Sequence, residues 1–145
     1  MKTYLTGFLF LIAVFAVCSG QEETDSLISK CMLNTGPSSK YLKDFRIQLG
    51  EGSAHSEFRY KANLSLWKNT KYRFSMCTAD GSTGQLILNM MDDMNKPVLL
   101  STDPKTRTVY SYVDFICNKS GIYHIYYDFT DGHSGSGVSI VSLIQ

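Results

Sequence analysis

The sequence predicts an all-β protein: an antiparallel, jelly-roll-like β-sandwich of about eight strands with one short N-terminal helix. Three observations carry this reading. Residues 58–66 alternate strictly, with Phe58, Tyr60, Ala62, Leu64 and Leu66 on one face and Arg59, Lys61, Asn63 and Ser65 on the other. That is the period of a half-buried strand. Comparable runs recur as far as Ile144, and clusters of Gly, Asp, Asn, Pro and Ser separate them, as expected when hairpins and crossovers share one buried face.

The first segment is an expected leader. Lys2 supplies a positive start, residues 4–17 are apolar apart from Thr6 and Gly7, and Ser19 and Gly20 precede the polar Gln21, Glu22 and Glu23. This is the layout of a secretory signal peptide cleaved near Gly20. The apolar run is shorter than the roughly 18 residues a spanning helix needs. Val17 is larger than the residue that ordinarily precedes a lipidated cysteine, which speaks against Cys18 as an anchor. The expected layout is therefore a leader over 1–20, a helix and connector over 21–40, and a sandwich over 41–145.

Thr24 or Asp25 can cap a helix over 24–34, with Leu27, Ile28, Cys31 and Met32 on one face and Asn34, Thr35, Gly36 and Pro37 ending it. It is expected to pack on or across one end of the sandwich. Strands follow over Tyr41–Leu49, Glu57–Trp67, Tyr72–Cys77, Gln85–Met91, Pro97–Ser101, Val109–Cys117, Ile122–Phe129 and Val138–Ile144. The fourth is almost continuously apolar, which predicts a central position or burial on both faces. Pro97 opens a short edge-like strand. Asp103, Pro104, Lys105 and Thr106 suit a type I turn.

The order of elements Lys71-Tyr72-Arg73-Phe74, then an apolar strand and an Asp-rich turn, then Tyr112-Val113-Asp114-Phe115, then Ser120-Gly121-Ile122-Tyr123-His124-Ile125 resembles the pre-peptidase C-terminal (PPC) type of domain, a bacterial jelly-roll-like sandwich. The resemblance covers about Phe45 to Leu143 and rests on structural motifs. With its short preceding helix, the chain also looks like small exported proteins of Bacteroidota. The resemblance implies a module with no active site of its own that sits beside secreted hydrolases, some relatives binding calcium or matrix polymers. This chain carries no accompanying catalytic domain, so it would act alone or on a separate partner.

Charge narrows the partners. Fourteen basic and 13 acidic residues give a net charge of +1, with no basic run. This argues against nucleic acid and against electrostatic attachment to anionic membranes. After the leader, the cysteines are Cys31, Cys77 and Cys117. Export would put them in an oxidising space. The preferred bridge is Cys77–Cys117, because both follow aromatic-rich strands. Cys77 alternates outward and Cys117 inward, a mismatch that a bulge or a strand end could reconcile. No zinc or redox cysteine spacing is present.

The candidate ligand surface is Tyr110, Tyr112, Asp114, His124 and Tyr126, which alternation turns outward on two successive strands. Flat rings interleaved with hydrogen-bonding side chains suit a glycan or an extended peptide. Cross-strand tyrosine pairing, or cover by the helix, would explain the same residues without a ligand. Asp128 and Asp131, in a turn with Gly132, are the candidate ligands of a hard cation such as calcium, although a turn signal accounts for them too. No other cofactor is expected. His55, His124 and His133 are the only histidines, and Ser134-Gly135-Ser136-Gly137 is not a nucleophile elbow, so no catalytic residue is assigned. The expected role is a non-catalytic module, binding or scaffolding at the cell envelope, in the periplasm or outside the cell, with a glycan or protein as ligand. The alternative is a structural accessory subunit docking on a separate exported enzyme or complex.

Overall fold

The computed structural model describes residues 19–53 and 57–145, with side chains from Glu22 onward. The predicted leader lies outside the described residues except for Ser19 and Gly20, and so does His55. Helix α1 spans Ser19–Leu33. The strands are β1 (Ser39–Leu49), β2 (Tyr60–Leu66), β3 (Thr70–Thr78), β4 (Leu86–Met91), β5 (Pro97–Leu100), β6 (Tyr112–Cys117), β7 (Gly121–Phe129) and β8 (Gly135–Ile144). Each predicted strand is present. The sixth is shorter than expected, because Val109 makes only an isolated bridge to Thr102 before the chain enters β6.

Two four-stranded antiparallel sheets face each other, in the orders β1-β8-β3-β6 and β2-β7-β4-β5. The pairings are nested about the β4–β5 hairpin, with β3 on β6, β2 on β7 and β1 on β8. Pairs β3–β8 and β4–β7 then close each sheet. This is a jelly roll, and most connections cross from one sheet to the other.

Alternation builds the core. Phe45 and Ile47, Tyr72, Phe74 and Met76, and Val141 turn inward from the first sheet. They meet Leu66, Leu86, Leu88, Met90, Tyr123, Ile125, Tyr127 and Phe129 from the second. Phe45 and Tyr127 pack with their rings tilted at 45° and 5.7 Å between centres, and Phe115 meets the Tyr123 ring edge-on at 5.5 Å. The Tyr127 hydroxyl crosses the core to donate to Ser139 Oγ at 2.7 Å. Complete burial pushes that phenol's pKa upward. Strand β4 is interior to its sheet as expected, but its residues alternate between buried and half-buried, so only one face is fully enclosed.

Strand β8 is apolar on both faces, and this places the helix. Val138 and Ile140 point away from the main core, and α1 covers them with Leu27, Ile28 and Cys31. The helix therefore lies on the outer face of the first sheet rather than across an end. Met32, expected on the apolar face, is exposed at the margin.

The disulfide corrects the expectation. Cys31 pairs with Cys77, across 46 residues of sequence, and Cys117 is a buried free thiol. The predicted Cys77–Cys117 bridge is excluded by register. Thr70, not Cys77, lies opposite Cys117, so Cys77 sits roughly 20 Å further along β3. No bulge intervenes. Cys77 faces outward to the helix while Cys117 faces the core, where its thiol donates to the Lys119 carbonyl at 3.1 Å.

Candidate functional site

The predicted ligand residues divide between two surfaces. Strands β6 and β7 belong to opposite sheets. Tyr112 and Asp114 therefore lie on the outer face of the first sheet, and His124 and Tyr126 on the outer face of the second. The single surface expected of Tyr110, Tyr112, Asp114, His124 and Tyr126 does not exist. Alternation correctly turned these side chains outward, but period two says nothing about which sheet a strand joins.

The first group is a clasp. Arg73 grips Asp114 with a two-pronged contact, Nε to Oδ1 at 2.7 Å and Nη2 to Oδ2 at 3.0 Å. Lys71 adds a second cation at 3.3 Å. The guanidinium lies 4.2 Å from the centre of the Tyr112 ring and also donates to the Thr35 carbonyl. Hydrogen bonding from Arg73 holds the Asp114 carboxyl below the usual range, and the same contact raises Arg73. These groups satisfy one another and fasten the connector after α1 to β3. Tyr110 is half-exposed ahead of β6 and takes no part in the clasp.

The second group lines a cleft. Cross-strand register sets Lys61, Tyr126, Asn89 and Leu100 in one row over four strands. Asn63, His124, Met91 and Pro97 form the row beside it. A cavity of about 280 Å³ opens here, lined by Glu57, Phe58, Lys61, Asn89, Met91 and Tyr126. Lys61 Nζ stands 5.8 Å from the centre of the Tyr126 ring and 3.6 Å from Glu57. His124 Nδ1 is 2.8 Å from Asn63 Oδ1. Asn89 carries the feature that sequence reading missed: its Oδ1 is buried and has no hydrogen-bond partner. Buried amide oxygens are nearly always satisfied. The signal was present as a single amide within the apolar run Leu86-Ile87-Leu88-Asn89-Met90-Met91. The cleft thus sets an aromatic face and a thioether beside an amide, an ammonium and a carboxylate.

The two candidate cation ligands take different partners. Asp128 is held by Arg59, with Nη2 to Oδ1 at 2.8 Å, and also accepts the Phe129 N–H at 2.7 Å. Asp131, in the short 3-10 turn after β7, pairs with Arg107 at 3.3 Å. Among the described residues, no group of three or more His, Cys, Asp or Glu side chains is arranged to hold a metal. No helix among the described residues is long and apolar enough to cross a membrane. No family model matches this chain, and no curated protein matches it.

Proposed function

We propose that the protein is an exported, non-catalytic binding module that takes a glycan across the outer face of the second sheet at Tyr126. One observation carries the reading. Asn89 lines the cleft with the Tyr126 ring, Met91 and Lys61, and its Oδ1, unpartnered and closed to solvent, is reached by a ligand hydroxyl only when the cleft side chains shift. A sugar ring offers an apolar face to stack on an aromatic and hydroxyls that both donate and accept, so it matches this mixture. The leader pattern supports export, and the Cys31–Cys77 bridge fits an oxidising compartment. The resemblance to PPC-type modules agrees with a role in binding.

The test is a glycan-array screen of the exported chain, repeated with Tyr126→Ala, Asn89→Ala and Tyr112→Ala. Binding abolished by the first two and kept by Tyr112→Ala is the expected result. Binding lost with Tyr112→Ala but kept with Tyr126→Ala would move the site to the opposite sheet. No binding by the folded protein would overturn the glycan reading.

A further inference from the structure

Among the described residues, the large apolar side chains most open to solvent, apart from Leu33 at the end of α1, are Met94, Trp67, Ile116 and Ile122, at 75, 70, 70 and 54 % exposure. All four fall at one end of the sandwich. Register places the β2–β3, β4–β5 and β6–β7 turns at that end, because Leu66 faces Gly121, Thr70 faces Cys117 and Met91 faces His124.

The turns are stitched together and held in fixed shapes. Lys68 N–H donates to Ser120 Oγ at 2.7 Å, and Lys119 Nζ meets Asp93 at 2.9 Å. Asp92 Oδ1 accepts the N–H groups of both Met94 and Lys96 at 2.9 Å, which sets Met94 within a closed turn. Asn69 and Asn95 take the positive φ values that these turns need. Lys68 and Lys96 stand among the apolar groups and make no ion pair among the described residues.

We propose that this end is a docking rim for an anionic lipid bilayer. Trp67, Met94 and Ile122 would enter the headgroup–acyl boundary, with Ile116 at the flank, while Lys68 and Lys96 lie along the lipid phosphates. A bilayer fits better than a protein partner. The apolar groups stand on separate turns and strand ends, with the ammonium groups of Lys68 and Lys96 between them and the Asp93 carboxylate neutralised by Lys119, which is how amphipathic surfaces seat in an interface. Tryptophan favours that depth. The chain's overall charge is close to neutral, so apolar contact supplies the attachment and the lysines give a preference for anionic lipid. The rim lies beyond the Met91 end of the Tyr126 cleft, on the turn that follows β4, and shares none of the residues that line the cleft.

Trp67 is the only tryptophan of the chain, so its fluorescence reports this end alone. The exported protein is titrated with phosphatidylcholine vesicles containing about one third phosphatidylglycerol. The expected result is a blue shift of Trp67 emission and quenching by lipids brominated on their acyl chains. Met94→Ser/Ile122→Ser should weaken vesicle partitioning about tenfold or more. Lys68→Glu/Lys96→Glu should erase the preference for anionic over purely phosphatidylcholine vesicles. Unchanged Trp67 emission with folded protein overturns the proposal, as does a blue shift that depends on protein concentration without lipid. Partitioning that the Met94/Ile122 variant leaves intact overturns it too.

Discussion

Arg59, one residue ahead of β2, closes on Asp128 of β7 and holds it from two directions. Its Nε and Nη2 reach Asp128 Oδ1 at 3.0 and 2.8 Å, and its own backbone N–H donates to Oδ2 at 3.2 Å. The same guanidinium donates to the carbonyls of Gly50, Gly132 and His133. One side chain thereby joins the β1–β2 connection, β7 and the turn that leads into β8.

This arrangement sets the first prediction. Asp128→Ala removes the carboxylate that pairs with the largely enclosed Arg59 guanidinium, and an uncompensated charge is what makes breaking such a pair costly. The expected loss is about 3 kcal/mol, read from the urea midpoint at constant slope. A loss below about 1 kcal/mol would mean that the pair is solvated like an ordinary surface bridge.

The second prediction concerns the sulfurs. Mapping of the folded protein should return, among the described residues, one linked peptide pair, Cys31–Cys77, and one thiol, Cys117, that alkylates only after unfolding. Cys77→Ser should cost about 2–4 kcal/mol, since the link closes a long loop. Protease should then reach α1 before it reaches the sheets, because the helix rests on a small satellite core of its own. A Cys77–Cys117 peptide pair would contradict the observed register.

A third prediction tests the hydrogen bond that spans the two sheets. Tyr127→Phe keeps the ring packing and leaves Ser139 Oγ without its donor in a fully buried place. The expected loss is about 1–3 kcal/mol, the cost of stranding a buried polar group. Tyr127→Phe/Ser139→Ala should recover part of it, since both partners are then gone.

The fourth is a titration. Glu51 binds the far side of the β7–β8 turn, with Oε1 accepting the Ser134 N–H at 2.9 Å and Oε2 standing 3.3 Å from His133 Nδ1. The Ser134 hydrogen bond, with help from His133, lowers its pKa from 4.5 to about 2. A carboxylate depressed on folding stabilises the native contact above its unfolded pKa, and that contribution is lost as pH falls through the folded value. The loop contact should therefore be complete above pH 4.5 and released near pH 2. The carboxyl carbon shift of Glu51 measures this, and a midpoint at 4.5 would mean the contact is not held in solution.

The architecture was legible because each inward face writes itself as alternation. Residues such as Leu86, Leu88 and Met90, or Tyr123, Ile125 and Tyr127, identify strands and their buried sides with no partner in view. The partner itself is not encoded at that range. Nothing within Tyr112–Cys117 states that this strand lies beside β3 while the next, Gly121–Phe129, lies beside β2 and β4. The proposed tyrosine surface failed for that reason. The cysteine parities carried the correct warning, since an outward Cys77 needs a partner from outside the sandwich, and only the helix supplies one. The Asn89 cleft was hidden because its unmet oxygen becomes visible only when the neighbours are placed.

The strand order also has a consequence for timing. Strand β8, the last in sequence among the described residues, is not an edge but the middle of its sheet, between β1 and β3. Until Gly135–Ile144 has left the ribosome, the first strand has nothing to pair with, and Val138 and Ile140 are not there to seat the helix. A chain clipped before β8 is not a slightly smaller version of the protein but two sheet fragments with open edges, prone to stick to other chains. Assembly has to wait for β8, and pairings so distant in sequence are slow to find one another.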